Sequence, residues 1–498
     1  MATEMQIDER AREFVGKDHP MLVGGDWVDA ASGRTFEVYD PSSGEVLATV
    51  ARGDSEDIDR AVKTARAAFE TGPWSTMTAS ARGRAIHKLG DLILENADEL
   101  ATLETLDNGK PLAVAKAADI PLAADLFHYM SGWATKNTGQ TLSLNVPYIP
   151  DAQFHAYTLH EPVGVVGQII PWNFPLLMAA WKLGPALACG CTVVLKPAEQ
   201  TPLSALRLGE LILEAGIPEG VVNIVTGFGE ETGAPLAAHP DVDKIAFTGS
   251  TEVGRTIVKA AEGNLKKVSL ELGGKSPNVI FADAVSDETI EGAANAIFFN
   301  HGQCCCAGSR LFAEKSVYDE VVSGVADHAK NITVGSGLDP QTEMGPLVSQ
   351  EQLDRVCGFL DSGAAEGAET VVGGNRKGDS GYFVEPTVLA GTHPKMSVEA
   401  EEIFGPVVTV KPFESTDELV PAANESNYGL GAGIWTNDIS TAHRTAKQLR
   451  AGTVWINCYN VFDAALPFGG FKESGWGREM GEDALELYTE VKSVCAQI

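Results

Sequence analysis

The chain has 498 residues, beyond the roughly 250–300 at which one hydrophobic core usually divides, so at least two domains are expected. With 44% hydrophobic and 21% charged residues it sits near the averages for soluble globular proteins, which argues against disorder and against a fibrous repeat. A formal charge of −31, spread along the chain rather than gathered in a tail, repels nucleic-acid phosphates and anionic membrane surfaces, so neither is expected as a partner.

Residues 1–16 contain no apolar core of the kind a secretory signal needs, and a cytoplasmic location is expected. Ser55 reads as a cap ahead of Ile58, Ala61, Val62, Ala65 and Phe69 at helical spacing. A longer helical region follows over about 80–108, stopped by Gly109 and Pro111. From Thr141 the run TLSLNV alternates polar and apolar, Pro147 and Pro150 break it, and FHAYTLH resumes, which predicts a long hairpin over 140–159.

The apolar region 163–195 is interrupted by Pro171, Asn173, Pro175, Lys182 and Pro185, which lipid would accept badly, so it reads as buried strand and helix. GVVGQII, TVVL, VVNIVT and KIAFT are short apolar runs separated by helix-length segments, the punctuation of βαβ units. In the segment after TVVL, Thr201 can cap, Pro202 can occupy the first turn, Leu203, Leu206 and Leu211 can face a sheet, and Gly216 can terminate. A second region begins near Gly273, with a helix predicted over about 350–367 and a strand over 452–457.

The eight cysteines, at 189, 191, 304, 305, 306, 357, 458 and 495, lack the CxxC pairs of a zinc site, so no metal is expected. Three adjacent cysteines also make a poor disulfide framework, and reduced thiols in a reducing compartment fit better. A thiol enzyme needs a thiolate, donors for oxyanion charge and, for thioester hydrolysis, a base that activates water. FFNHGQCCCAGSR, residues 298–310, offers three thiols among small residues, and residue chemistry alone does not choose among them or exclude a structural role. The turn GSTEVG, residues 249–254, follows a strand and opens a helix, but Thr251 replaces the middle glycine of a GxGxxG fingerprint.

PWNFP at 171–175, KPAEQTP at 196–202, FTGSTEVG at 247–254, LELGGKSP at 270–277, EEIFGP at 401–406, PFGGFKESGWGRE at 467–479 and YTEVK at 488–492 together resemble the aldehyde dehydrogenase superfamily, in family order and over nearly the whole chain. The resemblance implies an α/β fold with a variant Rossmann NAD-binding domain over 1–139 and 160–272 and an α/β catalytic domain over 273–474. It also implies a small β oligomerisation element over 140–159 and 475–498, which joins subunits into a homodimer or homotetramer.

It further implies that Cys305 is the nucleophile, with Cys304 and Cys306 lining the substrate site, that Glu271 is the general base, and that the Asn173 amide and the Cys305 backbone N–H hold the oxyanion. Ser250 would lie near the cofactor phosphates, Lys196 and Glu199 on the adenosine ribose, and Glu402 and Phe404 on the nicotinamide ribose and ring. A carboxylate at Glu199 can accept from a ribose hydroxyl but repels the extra phosphate of NADP, which favours NAD. Lys182 and Glu479 match a proton-exit pair.

Phe174, Leu177, Met178, Trp181, Phe299, Phe462 and Phe468 match substrate-tunnel positions, so the resemblance implies an apolar aldehyde, arylaliphatic or of medium chain length, with phenylacetaldehyde leading. Asn460 and Asp463 bring polar groups near the expected mouth and keep betaine aldehyde or another aminoaldehyde as the alternative. Two other classes are a cofactor-independent thiol esterase pairing Cys305 with His301 and a non-catalytic relative of the same fold.

Overall fold

The computed structural model describes residues 7–498, and the part of the N-terminal reading that rests on residues 1–6 lies outside them. The short runs VVGQI, TVVLK, VNI and KIAFT are buried along their whole length, as strands covered on both faces must be. With Lys267–Glu271 they form five parallel strands inside an eight-stranded sheet. Across the sheet Val165–Ile169 is central, with Thr192–Lys196 and Val222–Ile224 on one side and Lys244–Thr248 and Lys267–Glu271 on the other. The winding reverses between Val165–Ile169 and Lys244–Thr248, and an open parallel sheet leaves a crevice beyond the strand ends at that point.

A second, seven-stranded sheet contains Pro277–Ile280, Arg310–Glu314, Thr387–Ala390, Val407–Phe413, Gly431–Trp435 and Thr453–Ile456, all parallel, with Glu369–Val372 antiparallel at one edge. Between the early strands of the first sheet, Pro175–Cys189 is a helix buried on every side. Proline at its first position has no N–H to lose, and the Leu176 N–H donates to the Glu104 carboxylate at 2.6 Å in place of a local cap.

Several local expectations are corrected. The cap of the Ser55–Glu70 helix is Asp54, which forms a reciprocal capping box with Asp57, because Ser55 already lies in the helix. The region expected as one helix over 80–108 is two, Ala79–Glu95 and Ala97–Asn108, parted at Asn96, whose side chain donates to Leu92 O. Gly109 ends the second with φ 90°. The Leu203–Glu214 helix is not capped by Thr201: Pro202 holds the cap position without a side-chain bond, and Asp107 Oδ2 receives the Leu203 N–H at 3.1 Å. Of TLSLNV only Thr141–Leu142 is strand, because Phe154–Pro162 pairs with those two residues on one side and with Thr489–Gln497 along its whole length on the other. A separate three-stranded sheet of Asp18–His19, Val46–Ala51 and Thr35–Tyr39 was not foreseen. Among the described residues no helix is long and apolar enough to cross a membrane.

Candidate active site

The crevice predicted by strand order is present as a cavity of about 1320 Å³. Pro171, Trp172, Asn173 and Phe174 reach it from the end of Val165–Ile169, and Gly249 and Ser250 from the end of Lys244–Thr248. Ser250 caps the Thr251–Ala260 helix by accepting from the Val253 N–H, which places its hydroxyl beside the positive end of a helix dipole.

Cys304, Cys305 and Cys306 enter the cavity from a tight turn after the Asp287–Phe298 helix. Asn300 and His301 hold φ of 48° and 60°, costly for non-glycine residues, and Gly302 follows at 69°. The turn is fixed by Asn300 Nδ2, which donates to Asn173 O and Gln303 O, and by the buried Gln303, whose Oε1 receives the Val348 N–H. Cys304 and Cys306 are buried with their sulfurs 3.4 Å apart, and Cys305 is the most exposed of the three. Hydrogen bonding with Cys304, with burial adding, pushes the Cys305 thiol well above its ordinary range, while bonds from Cys305 and Cys306 hold Cys304 well below.

Asn173 donates one amide hydrogen to Gln303 O at 3.0 Å, which fixes the side chain and leaves the other free. The Cys305 backbone N–H has no carbonyl acceptor among the described residues. Glu271, the last residue of Lys267–Glu271, is buried with neither carboxylate oxygen hydrogen-bonded among the described residues. Burial, then repulsion from Glu479, raises its pKa well above the ordinary carboxylate range, with Lys182 opposing. Lys182 donates to Thr248 Oγ1 at 2.6 Å and is ion-paired to Glu479.

Opposite, Glu402 Oε1 accepts the Gly274 N–H at 2.8 Å, and burial raises the carboxyl to about 7. A Cβ at Gly273 would stand 2.3 Å from Glu402 Oε2, so that glycine makes the room the carboxylate needs. Phe404 sits at φ 61°, held by Gln352 Nε2 donating to its carbonyl, and its ring meets Trp172 edge-on at 5.2 Å. A free carboxylate oxygen, a capped helix N-terminus and two aromatic rings around one crevice suit a nucleotide cofactor. Lys196 and Glu199 do not line this cavity; Lys196 ends the strand Thr192–Lys196, Glu199 follows three residues on, and the two are paired at 2.8 Å.

The other end of the cavity is aromatic. Trp181 lies 5.3 Å from Phe468 and 6.1 Å from Phe462, Phe462 lies 5.6 Å from Phe468, and Phe174 stacks on Phe299 at 6.1 Å. Leu177 and Met178 complete the wall. Asn460 lines it, whereas Asp463 does not: its carboxylate accepts from Ala465 N in a local turn. His301 also stays out of the cavity and is driven to about 3 by burial, so it offers Cys305 no base.

Sequence reasoning missed the support beneath this wall. Lys110, buried, ion-pairs with Asp119 and with Glu104 and places its ammonium 4.6 Å from the Phe174 ring centre. No local signal marks these charged residues as buried, because Glu104 and Asp119 sit on helices and Lys110 in a loop, where charge usually means solvent.

A family model described as the aldehyde dehydrogenase family matches residues 27–494. The chain is 52% identical over 480 residues to the mitochondrial aldehyde dehydrogenase of Homo sapiens, covering 96% of this chain and 92% of that one. It is 51% identical over 475 residues to the mitochondrial benzaldehyde dehydrogenase of Antirrhinum majus, covering 95% and 88%. The solved NAD+ complex of an aldehyde dehydrogenase from Bacillus cereus superposes with a TM-score of 0.97 at 52% identity, over 100% of both chains.

Proposed function

The chain belongs to the aldehyde dehydrogenase family and is an NAD-dependent enzyme acting on aldehydes, and from that premise we propose that it oxidises an apolar aldehyde irreversibly to the carboxylic acid through Cys305. The observation that carries the assignment is the convergence on one cavity of the most exposed cysteine of the cluster, the Glu271 carboxylate, unpartnered among the described residues, and the fixed amide of Asn173.

In this mechanism Cys305 first gives up its thiol proton to solvent in the cavity, the thiolate sulfur then bonds to the aldehyde carbon, and the carbonyl oxygen becomes an alkoxide held by Asn173 Nδ2 and the Cys305 N–H. NAD, when bound, supplies the hydride acceptor. Loss of hydride from the same carbon leaves a thioester on Cys305. Glu271 takes a proton from water as that water attacks the acyl carbon, the carbon–sulfur bond breaks, and the acid departs. A carboxylate of raised pKa suits this role, since a base works best when its pKa lies near the working pH. Lys182 and Glu479 then offer Glu271 a route by which its proton leaves.

We assign Ser250, Glu402 and Phe404 to the cofactor phosphates, nicotinamide ribose and ring, and Lys196 with Glu199 to the adenosine ribose, where the carboxylate favours NAD over NADP. The cofactor domain is taken as 1–139 and 160–272, the catalytic domain as 273–474, and the oligomerisation element as 140–159 and 475–498.

The aromatic wall favours an arylaliphatic aldehyde, with phenylacetaldehyde leading; the benzaldehyde dehydrogenase among the relatives is compatible with that choice. With its carboxylate held in a turn, Asp463 gives a cationic aminoaldehyde little support. Comparing kcat/KM for phenylacetaldehyde, hexanal and betaine aldehyde tests this: phenylacetaldehyde should rank first, and a preference for betaine aldehyde would overturn the apolar assignment.

Among the described residues Thr489–Gln497 leaves its outer edge unpaired over nine residues, with Val491 exposed, and such an edge invites pairing with another chain. A homodimer or homotetramer follows, and light scattering showing a stable monomer would refute it. The eight free cysteines support a reducing compartment, for which the cytoplasm is proposed.

A further inference from the structure

Away from the cavity, the Ala79–Glu95 and Ile120–Trp133 helices pack closely because two glycines of the first remove side chains from the contact. A Cβ at Gly83 would stand 2.7 Å from Ser131 O, and one at Gly90 would stand 2.5 Å from the His128 ring. The close approach lays His128 against His87 and Asp91, which lie one turn apart on the facing helix. His128 Nε2 is 2.9 Å from Asp91 Oδ1, His87 Nε2 is 4.0 Å from the same oxygen, and the two imidazole centres are 4.4 Å apart.

We propose that His87, Asp91 and His128 form a surface binding site for a borderline divalent cation of the Zn2+ type, with water completing its coordination. One ligand atom from each residue lies within 4.8 Å of the other two, and a tetrahedral ion with bonds of about 2.0–2.1 Å needs its donors roughly 3.3 Å apart, within reach of small side-chain rotations. Two imidazoles and one carboxylate are donors that such ions favour.

The tautomer of His87 is also suitable. Ser131 Oγ donates to His128 O at 2.6 Å, so toward His87 Nδ1, 3.4 Å away, it can only accept. In its Nδ1–H tautomer His87 donates to Ser131 Oγ, which then orients the ring as an outer partner and leaves the Nε2 lone pair for a cation. Without a cation, His128 Nε2–H bonds Asp91; on binding, the proton moves to Nδ1 and the cation takes its place. Asp91 and His87 are both solvent-exposed, so the site can be reached, and the formal charge of −31 draws cations to the protein.

The test is equilibrium dialysis of the full chain against Zn2+, counting equivalents bound by wild type, His87→Ala, His128→Ala, Asp91→Asn and Gly90→Ala. Zinc held by cysteine thiols is common to all five proteins and cancels. Wild type should bind one equivalent more per chain than either His→Ala variant. Gly90→Ala, which pushes the His128 ring away while keeping all three ligands, should weaken that equivalent by about tenfold or more, since even an outer partner of a metal ligand is worth roughly 10–100-fold in affinity. Aldehyde oxidation in zinc-free buffer should be the same in every variant and shows that each is folded. Equal stoichiometry in wild type and a folded His128→Ala or Asp91→Asn would overturn the proposal and leave the cluster as a clamp between two helices.

Discussion

Gly274→Ala probes how the strand end at 271 and the cysteine turn are held together. A Cβ at residue 274 would stand 2.1 Å from the carbonyl oxygen of Cys305, and ordinary contact begins at 3.4 Å, so the two segments must part by about 1.3 Å. The obstructing atom is backbone, so a side-chain rotation cannot relieve the clash; the peptide bearing the sulfur has to move. Overpacking of this kind costs about 1–3 kcal/mol, which should leave the variant folded, whereas displacing a reacting group by ~1 Å can cost roughly 100-fold in rate. The assay is kcat from NADH formation at saturating aldehyde and cofactor, with a thermal melt to establish folding and the rate of Cys305 alkylation by iodoacetamide as a direct probe of the thiol. The expected result is a folded protein with kcat lowered by about two orders of magnitude. A folded variant with wild-type kcat would refute the claim that this contact positions the nucleophile.

Glu271→Gln should still form acyl-enzyme, giving a burst of NADH followed by turnover slowed by roughly 10²–10⁴, the usual worth of a general base; wild-type steady-state turnover would remove Glu271 from that role. Glu402, at about 7 in the fold against 4.5 for a free carboxyl, keeps its proton longer in the native state, so its contribution to stability declines as pH rises from about 4.5 to about 7. Glu402→Gln should therefore flatten the fall of Tm across that window, and an unchanged slope would contradict the assigned burial cost. Phe462→Ala removes a ring that touches Trp181 and Phe468, and should raise KM for phenylacetaldehyde by about tenfold with little change in kcat, as expected for a lost aromatic contact of ~1–1.5 kcal/mol; an unchanged KM would place substrate elsewhere.

The chemistry was legible where residue identity and local backbone make the site together. PWNFP, FTGSTEVG, LELGGKSP and EEIFGP each contribute lining residues to one cavity, and the first two follow or end short, largely apolar strands that are recognisable in the sequence. The order of those strands, and with it the position of the crevice, is a property of long-range pairing that no local pattern contains. The three cysteines illustrate the same divide. Adjacent thiols are chemically alike, and only the turn through Asn300, His301 and Gly302 buries two and leaves Cys305 in contact with solvent. Glu99, Glu104 and Asp107 lie on a helix yet all three are buried, since the adjacent Lys110 reaches Glu104 while Arg207 and the N-termini of two other helices come to them from distant parts of the chain. The hairpin over 140–159 is present, with Thr141 and Leu142 pairing antiparallel to Tyr157 and Ala156, but its first arm is short: alternation over 141–146 permits a strand, and beyond Leu142 there is no partner among the described residues.

The central claim is that Cys305 is the nucleophile of an NAD-dependent aldehyde oxidation. The most direct measurement is the aldehyde-dependent appearance of NADH in wild type and in Cys305→Ala, with Cys304→Ala and Cys306→Ala as neighbours of the same chemistry. Loss of NADH formation in Cys305→Ala alone is the predicted result, and a Cys305→Ala protein that still forms NADH at the wild-type rate would contradict the account.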